Sequence, residues 1–271
     1  MENTVKLEKV SFGKRLCSML RVDFKRMFKS RLFYILIACA LIIPVLMTVM
    51  MTMMDGSVSV DPQTGVETVI EGPENAWQSI GALPTKDGVA MGGMDVMSMC
   101  NINMMFMLAA VFICLFISED FRSGYAKNLF TIRAKKCEYV ISKTLAGFVN
   151  GALMLIFYFI GAMLGGAVSG LSFDIATLST QNIVMCMIAK IFLMLVFVAI
   201  DVLVSVAAKQ KAWLCLCGSF GAGMLLFMTV SLITPLESTM INVILCLIGG
   251  VLFSVGLGAV SNRILKKTSL V

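Results

Sequence analysis

The sequence predicts an all-α polytopic membrane protein: six transmembrane helices, preceded by an amphipathic helix lying in the membrane interface. Three observations predict it. Apolar residues make up 59 % of the 271 residues and charged residues only 14 %, against roughly 45–50 % and about 25 % in soluble domains. That leaves too little polar surface to cover a globule. The apolar residues are also gathered into six blocks, each reaching the ~20 residues that a bilayer-crossing helix needs. Finally, Lys and Arg crowd into every second segment between blocks, the alternation expected when positive charge is held on one side of the membrane.

Residues 1–31 carry nine of these cations, including Lys14, Arg15, Arg21, Lys25, Arg26 and Lys29. At 100° per residue, Leu16, Cys17, Met19, Leu20, Phe24, Met27 and Phe28 share one arc of a helix over Ser11–Ser30, and the cations share the other. Such a helix lies along a membrane with its rings in the acyl boundary and its cations toward anionic headgroups. Arg15, Leu16, Leu20, Arg21, Phe24, Lys25 and Phe28 are the expected interface residues. Asp23 falls within the apolar arc, and either a protein partner or a tilt that leaves it wet would accommodate it. The segment reads as a retained cytoplasmic terminus and not as a cleaved signal peptide, since the basic stretch is long and no A-x-A site follows the first block.

The blocks run approximately 32–54, 97–117, 145–170, 183–207, 212–234 and 240–260. The loop 55–96 between the first two carries only Lys86 against seven acids and is expected outside. Its Pro73-Glu74 step would open a short helix through Trp77 and Ile80. The loop 118–144 carries six cations and is expected inside. The third and fifth loops carry none, the fourth has Lys209 and Lys211, and the tail 261–271 has Arg263, Lys266 and Lys267. Both termini are therefore expected in the cytoplasm, with residues 32–260 forming one membrane domain in the plasma membrane. Glycines four apart, at Gly147/Gly151, Gly161/Gly165 and Gly166/Gly170, mark close helix packing. The nine cysteines lie mostly in apolar or basic segments, which points away from a disulfide framework.

In the loop 118–144, Gly124 would break the helix leaving the second span. Tyr125–Ile132 would then form a short helix with an apolar edge at Tyr125, Leu129 and Ile132. The pattern Glu119-x-x-Arg122-x-Gly124-x-x-Lys127-Asn128-Leu129, followed by Arg133 and Tyr139-x-x-x-Lys143, resembles the cytoplasmic loop of ABC-2 type permeases, the membrane subunits of ABC exporters that include bacitracin- and lantibiotic-resistance permeases. The resemblance departs at Tyr125, where Thr is commoner, and in lacking a Pro or Gly before the arginine near Arg133. It implies that Tyr125–Ile132 is a coupling helix, with Glu119, Arg122, Gly124, Tyr125, Lys127, Asn128, Leu129, Phe130 and Arg133 facing an ATPase. It also implies a dimer with itself or a second permease, and an amphipathic substrate such as an antimicrobial peptide or drug moved out of the cell.

No histidine is present, which removes His-based metal, nucleophile and relay sites. No G-x-x-x-x-G-K-[ST] occurs, so no P-loop is expected in this chain. It is not read as an enzyme. It needs no cofactor of its own; ATP and Mg are expected on a partner ATPase. Membrane lipid is an expected partner and nucleic acid is not. Lys190 and Asp201 are the ionisable residues well inside a span. They are eleven residues apart, on one face but roughly 16 Å from each other at 1.5 Å per residue. Two readings stand for them: substrate contact in the bundle interior or at the dimer seam, or snorkelling with a partner on another span. Two other functions remain open, an ion-coupled secondary transporter, for which Asp201 is the qualifying carboxylate, and a non-transporting sensor or scaffold.

Overall fold

The computed structural model describes residues 11–60, 67–69, 72–73, 75–81, 101–132, 136–174 and 179–267. The apolar blocks fold as six long helices: α2 (Arg31–Met53), α3 (Met104–Arg122), α5 (Lys136–Val168), α6 (Thr180–Ala208), α7 (Ala212–Ile233) and α8 (Met240–Lys267). Two shorter amphipathic helices accompany them, α1 (Phe12–Lys29) and α4 (Tyr125–Ile132). Among the described residues, five helices are long and apolar enough to cross a membrane, and α7 contributes a shorter apolar stretch, Ala212–Phe227. The chain is an all-α membrane protein.

Helix α6 is the axis of the bundle and touches α3, α5, α7 and α8. Helix α2 lies along α5, where the predicted glycines let the backbones close in. A Cβ on Gly161 would strike the Leu41 carbonyl oxygen, and one on Gly165 would come within 3.0 Å of the Val45 Cα. Helix α8 packs one face on α6 and leaves most of its apolar surface, including Leu245, Leu252 and Val255, outward.

Three helices run further than their apolar blocks. Helix α3 continues to Arg122, α5 starts at Lys136 and α8 continues to Lys267. The apolar block reports only the slab that lipid covers, whereas the helix persists through polar residues that pack on protein. At 33 residues α5 is about 50 Å long, well beyond the ~30 Å of a hydrocarbon core, and its polar first turns carry the site described below. These extensions share one end of the bundle with α1, α4 and the α6–α7 turn: Lys136 Nζ donates to the Leu265 carbonyl at 2.7 Å and Gln210 Nε2 to that of Phe121 at 3.5 Å. We call it the basic end.

The loop between α2 and α3 lies at the opposite end and departs from the expected short helix. Val58–Val60 (β1) pairs antiparallel with Glu67–Val69 (β2), and Ala76–Ser79 form one 3-10 turn, capped by the Asn75 side chain accepting from the Trp77 N–H. Trp77 holds the turn on the bundle: its Nε1 donates to the Phe173 carbonyl at 2.9 Å and its ring stacks on Phe159. Glu74, Lys86 and Cys100 lie outside the described residues.

Candidate functional site

The site begins with a spacing in α1. Met19, Asp23 and Met27 recur every fourth residue, one stripe of a helix, and all three are buried. That stripe packs on the first turns of α5. Asp23 therefore meets protein: Lys143 Nζ lies 2.7 Å from its Oδ1, and the Ser142 hydroxyl donates to its Oδ2. Lys143 is shared. Its Nζ also lies 2.7 Å from Asp120 Oδ2 at the end of α3, and the Tyr139 hydroxyl donates to that oxygen at 3.0 Å. Arg26, from α1, completes the set with Nη2 2.6 Å from Asp120 Oδ1, a close ion pair and not an aligned hydrogen bond. Two carboxylates and two cations thus join α1, α3 and α5. Burial works against the charge of Arg26, but Asp120 foremost, with Asp23, outweighs it and raises its pKa above the ordinary arginine value.

The expected segregation of α1 is corrected here. Arg15 and Arg26 do not face headgroups. Arg15 Nε pairs with the buried Glu138 of α5 at 2.8 Å, and Arg26 pairs with Asp120. Leu16, Leu20 and Phe24 are half-buried, while Arg21, Lys25, Cys17 and Phe28 are exposed. The physical reason is the α5 extension: its acids and hydroxyls offer α1 a polar counter-surface that an isolated amphipathic helix lacks.

Gly124, at φ +74°, turns the chain out of α3 into α4, and its carbonyl accepts the Asn128 N–H at 3.0 Å. The inward face of α4 rests on the charge cluster. The Tyr125 ring lies 4.4 Å under the Arg26 guanidinium, Ala126 is buried, and Phe130 meets Tyr139 edge-on at 5.2 Å. Burial raises the Tyr125 phenol above its ordinary pKa, with Asp23 and Asp120 adding to the shift. The outward face presents Lys127, Asn128 and Thr131, beside the exposed Glu119–Arg122 pair at 2.6 Å. Leu129 and Phe130 are half-buried against the core, so only their edges reach that face. Arg133 lies outside the described residues.

Lys190 and Asp201 sit apart from this site and from each other. Lys190 is fully buried near the opposite end, its Nζ donating to Asn103 Oδ1 at 2.8 Å and Thr234 Oγ1 at 3.0 Å. It is held by other spans and does not snorkel. Asp201 is buried toward the basic end beside Ser219.

Sequence reasoning passed over Asp120, Glu138 and Ser142, and it left Asp23 undecided. The available signal was that Glu138 and Ser142, and Tyr139 and Lys143, are each four apart, so two polar stripes run along the start of α5.

A family model described as ABC-2 family transporter protein matches residues 19–224, about three quarters of the chain. It begins inside α1 and ends inside α7, spanning the charge cluster and α4. No curated protein and no solved structure matches.

Proposed function

The chain belongs to the ABC-2 transporter family, and from that premise we propose that it is the permease subunit of an exporter whose separate ATPase docks on α4. The family implies an ABC ATPase as partner; its seat on this chain, and all that follows, is our reading. The observation that carries it is the two-sidedness of α4. One side is polar and uncovered at Lys127, Asn128 and Thr131. The other touches a charge cluster shared by three helices.

In this reading the ATPase subunits bind ATP and Mg and close, and the motion bears on α4. Tyr125 passes it to Arg26, and Phe130 passes it to Tyr139. Because Asp120, Lys143 and Asp23 tie α3, α5 and α1 together, the three helices shift as a unit. The basic end faces the cytoplasm, since the positive charge collects there, so both termini lie inside and the chain sits in the plasma membrane. Six spans form half of a pathway, which a second permease, identical or homologous, would complete. The substrate is an amphipathic peptide or drug moved outward, with Lys190 and Asp201 as candidate contacts if the bundle opens. The exposed apolar arc at Phe12 and Phe28 would lie in lipid.

Copurification from native membranes tests this. We expect a P-loop ATPase with Mg-dependent ATP hydrolysis to copurify stoichiometrically. Lys127→Glu, an exposed change, should lose the ATPase while leaving the melting temperature of the permease unaltered. Leu129→Asp should also lower that temperature, because Leu129 is part of the packing. If the purified chain alone moved substrate on a proton or sodium gradient, the ATP-driven reading would fall.

A further inference from the structure

Three helices of the bundle each contribute two buried polar residues one turn apart: Cys114 and Ser118 on α3, Asp201 and Ser205 on α6, and Cys215 and Ser219 on α7. They interdigitate. Cys114 Sγ lies 3.3 Å from Ser219 Oγ, and Ser118 Oγ lies 3.4 Å from Cys215 Sγ. Ser118 Oγ also donates to the Lys209 carbonyl at 3.2 Å, at the turn where α6 meets the basic end. The result is a polar shaft among α3, α6 and α7, with Cys215 Sγ reaching the Ser205 carbonyl at 4.0 Å and Asp201 lying beside Ser219.

Two atoms of this shaft lack hydrogen-bond partners although both are buried, Asp201 Oδ2 and Ser205 Oγ. Among the described residues no Lys or Arg pairs with Asp201; the titratable group that faces it from a packed element is Cys114 on α3, and Lys190 is three turns away on its own helix. An ionised carboxylate here has the Ser219 hydroxyl as its compensation for lost hydration, and a buried charge so poorly matched is usually resolved by taking up a cation or a proton. The neighbours decide which. Thiols are poor ligands for hard monovalent cations, whereas a proton needs no room and turns an orphan acceptor into a donor.

We infer that Asp201 is a proton-binding site within the bundle, exchanging its proton with the aqueous phase at the basic end. The step is balanced simply: a hydronium ion at the basic end gives up its proton, the Asp201 carboxylate becomes a neutral acid, and water is released. The site is independent of the ATPase seat on α4, and it adds a pH-sensitive group to the α3–α6–α7 seam.

Infrared difference spectroscopy on the full chain reconstituted in lipid tests it. A protonated carboxylic-acid band should be present at pH 7, shift in deuterium oxide, and vanish in Asp201→Asn. Asp201→Glu should keep a band at a changed frequency. Because the amide replaces one neutral group by another, Asp201→Asn should melt within a few degrees of the wild type. Absence of the band at pH 7, or its persistence in Asp201→Asn, overturns the proposal. So does a melting temperature that rises with sodium in the wild type but not in Asp201→Asn.

Discussion

Two fully buried lysines divide the molecule. Lys143, at the basic end, stands between two carboxylates, each 2.7 Å away. Lys190, near the opposite end, touches an amide oxygen and a hydroxyl. The carboxylates mirror them: Asp120 is met by Lys143, Arg26 and Tyr139, while Asp201 keeps an oxygen without a donor. Charges at the basic end are matched and weld helices together. Among the described residues, ionisable groups inside the bundle have no opposite charge beside them, which makes them candidates for work other than holding the fold.

The largest effect should follow from breaking the matched set. Lys143→Met leaves Asp23 and Asp120 facing each other across the cluster with Arg26 alone. Removing one partner of a buried ion pair costs about 3–5 kcal/mol. We expect a large loss of melting temperature in detergent, partly restored when Asp23→Asn is added. If Lys143→Met alone melted like the wild type, the cluster would not be the weld described here.

That difference also marks what could be read beforehand. Helix positions, the glycine contacts and the bounds of α4 follow from local pattern, because hydrophobic blocks and a left-handed Gly124 act within a few residues. The charge cluster does not. Asp23, Asp120 and Lys143 are far apart in the chain, and each alone passes for a surface charge beside a basic loop. The misplacement of Arg15 and Arg26 has the same origin: a helical wheel shows which side a residue occupies, and only the neighbouring α5 decides whether that side meets lipid or protein. Lys190 was conspicuous for the opposite reason, since a cation within an apolar run contradicts its own surroundings.

A smaller effect on stability is expected at Lys190. Lys190→Met removes a charge from the bundle and leaves only neutral partners, Asn103 and Thr234, without it. Each hydrogen bond contributes about 0.5–1.5 kcal/mol net, and the relieved burial of charge offsets much of that. The melting temperature should therefore stay close to that of the wild type. Transport assayed on the same preparation then separates the two readings of this residue: a fall in transport with stability intact assigns it a functional contact, and unchanged transport leaves it a packing residue.

The smallest effect tests how tightly α4 is coupled to the matched cluster. Tyr125 carries a raised pKa from burial and from the nearby Asp23 and Asp120, so its neutral phenol is favoured in the folded state. Its contribution to stability is complete below the unfolded value of about 10 and is lost as pH rises through the folded value. Between those limits the unfolded chain releases the proton first, and folding becomes less favourable. Tyr125→Phe removes that one titration while retaining a ring under Arg26. Melting curves of the wild type and this variant should coincide at neutral pH and separate above pH 10, with the variant losing less. Curves that stay parallel throughout would show that the ring of α4 does not sense the carboxylates beneath it, and the route from α4 into α1, α3 and α5 would then have to run through Phe130 and Tyr139 alone.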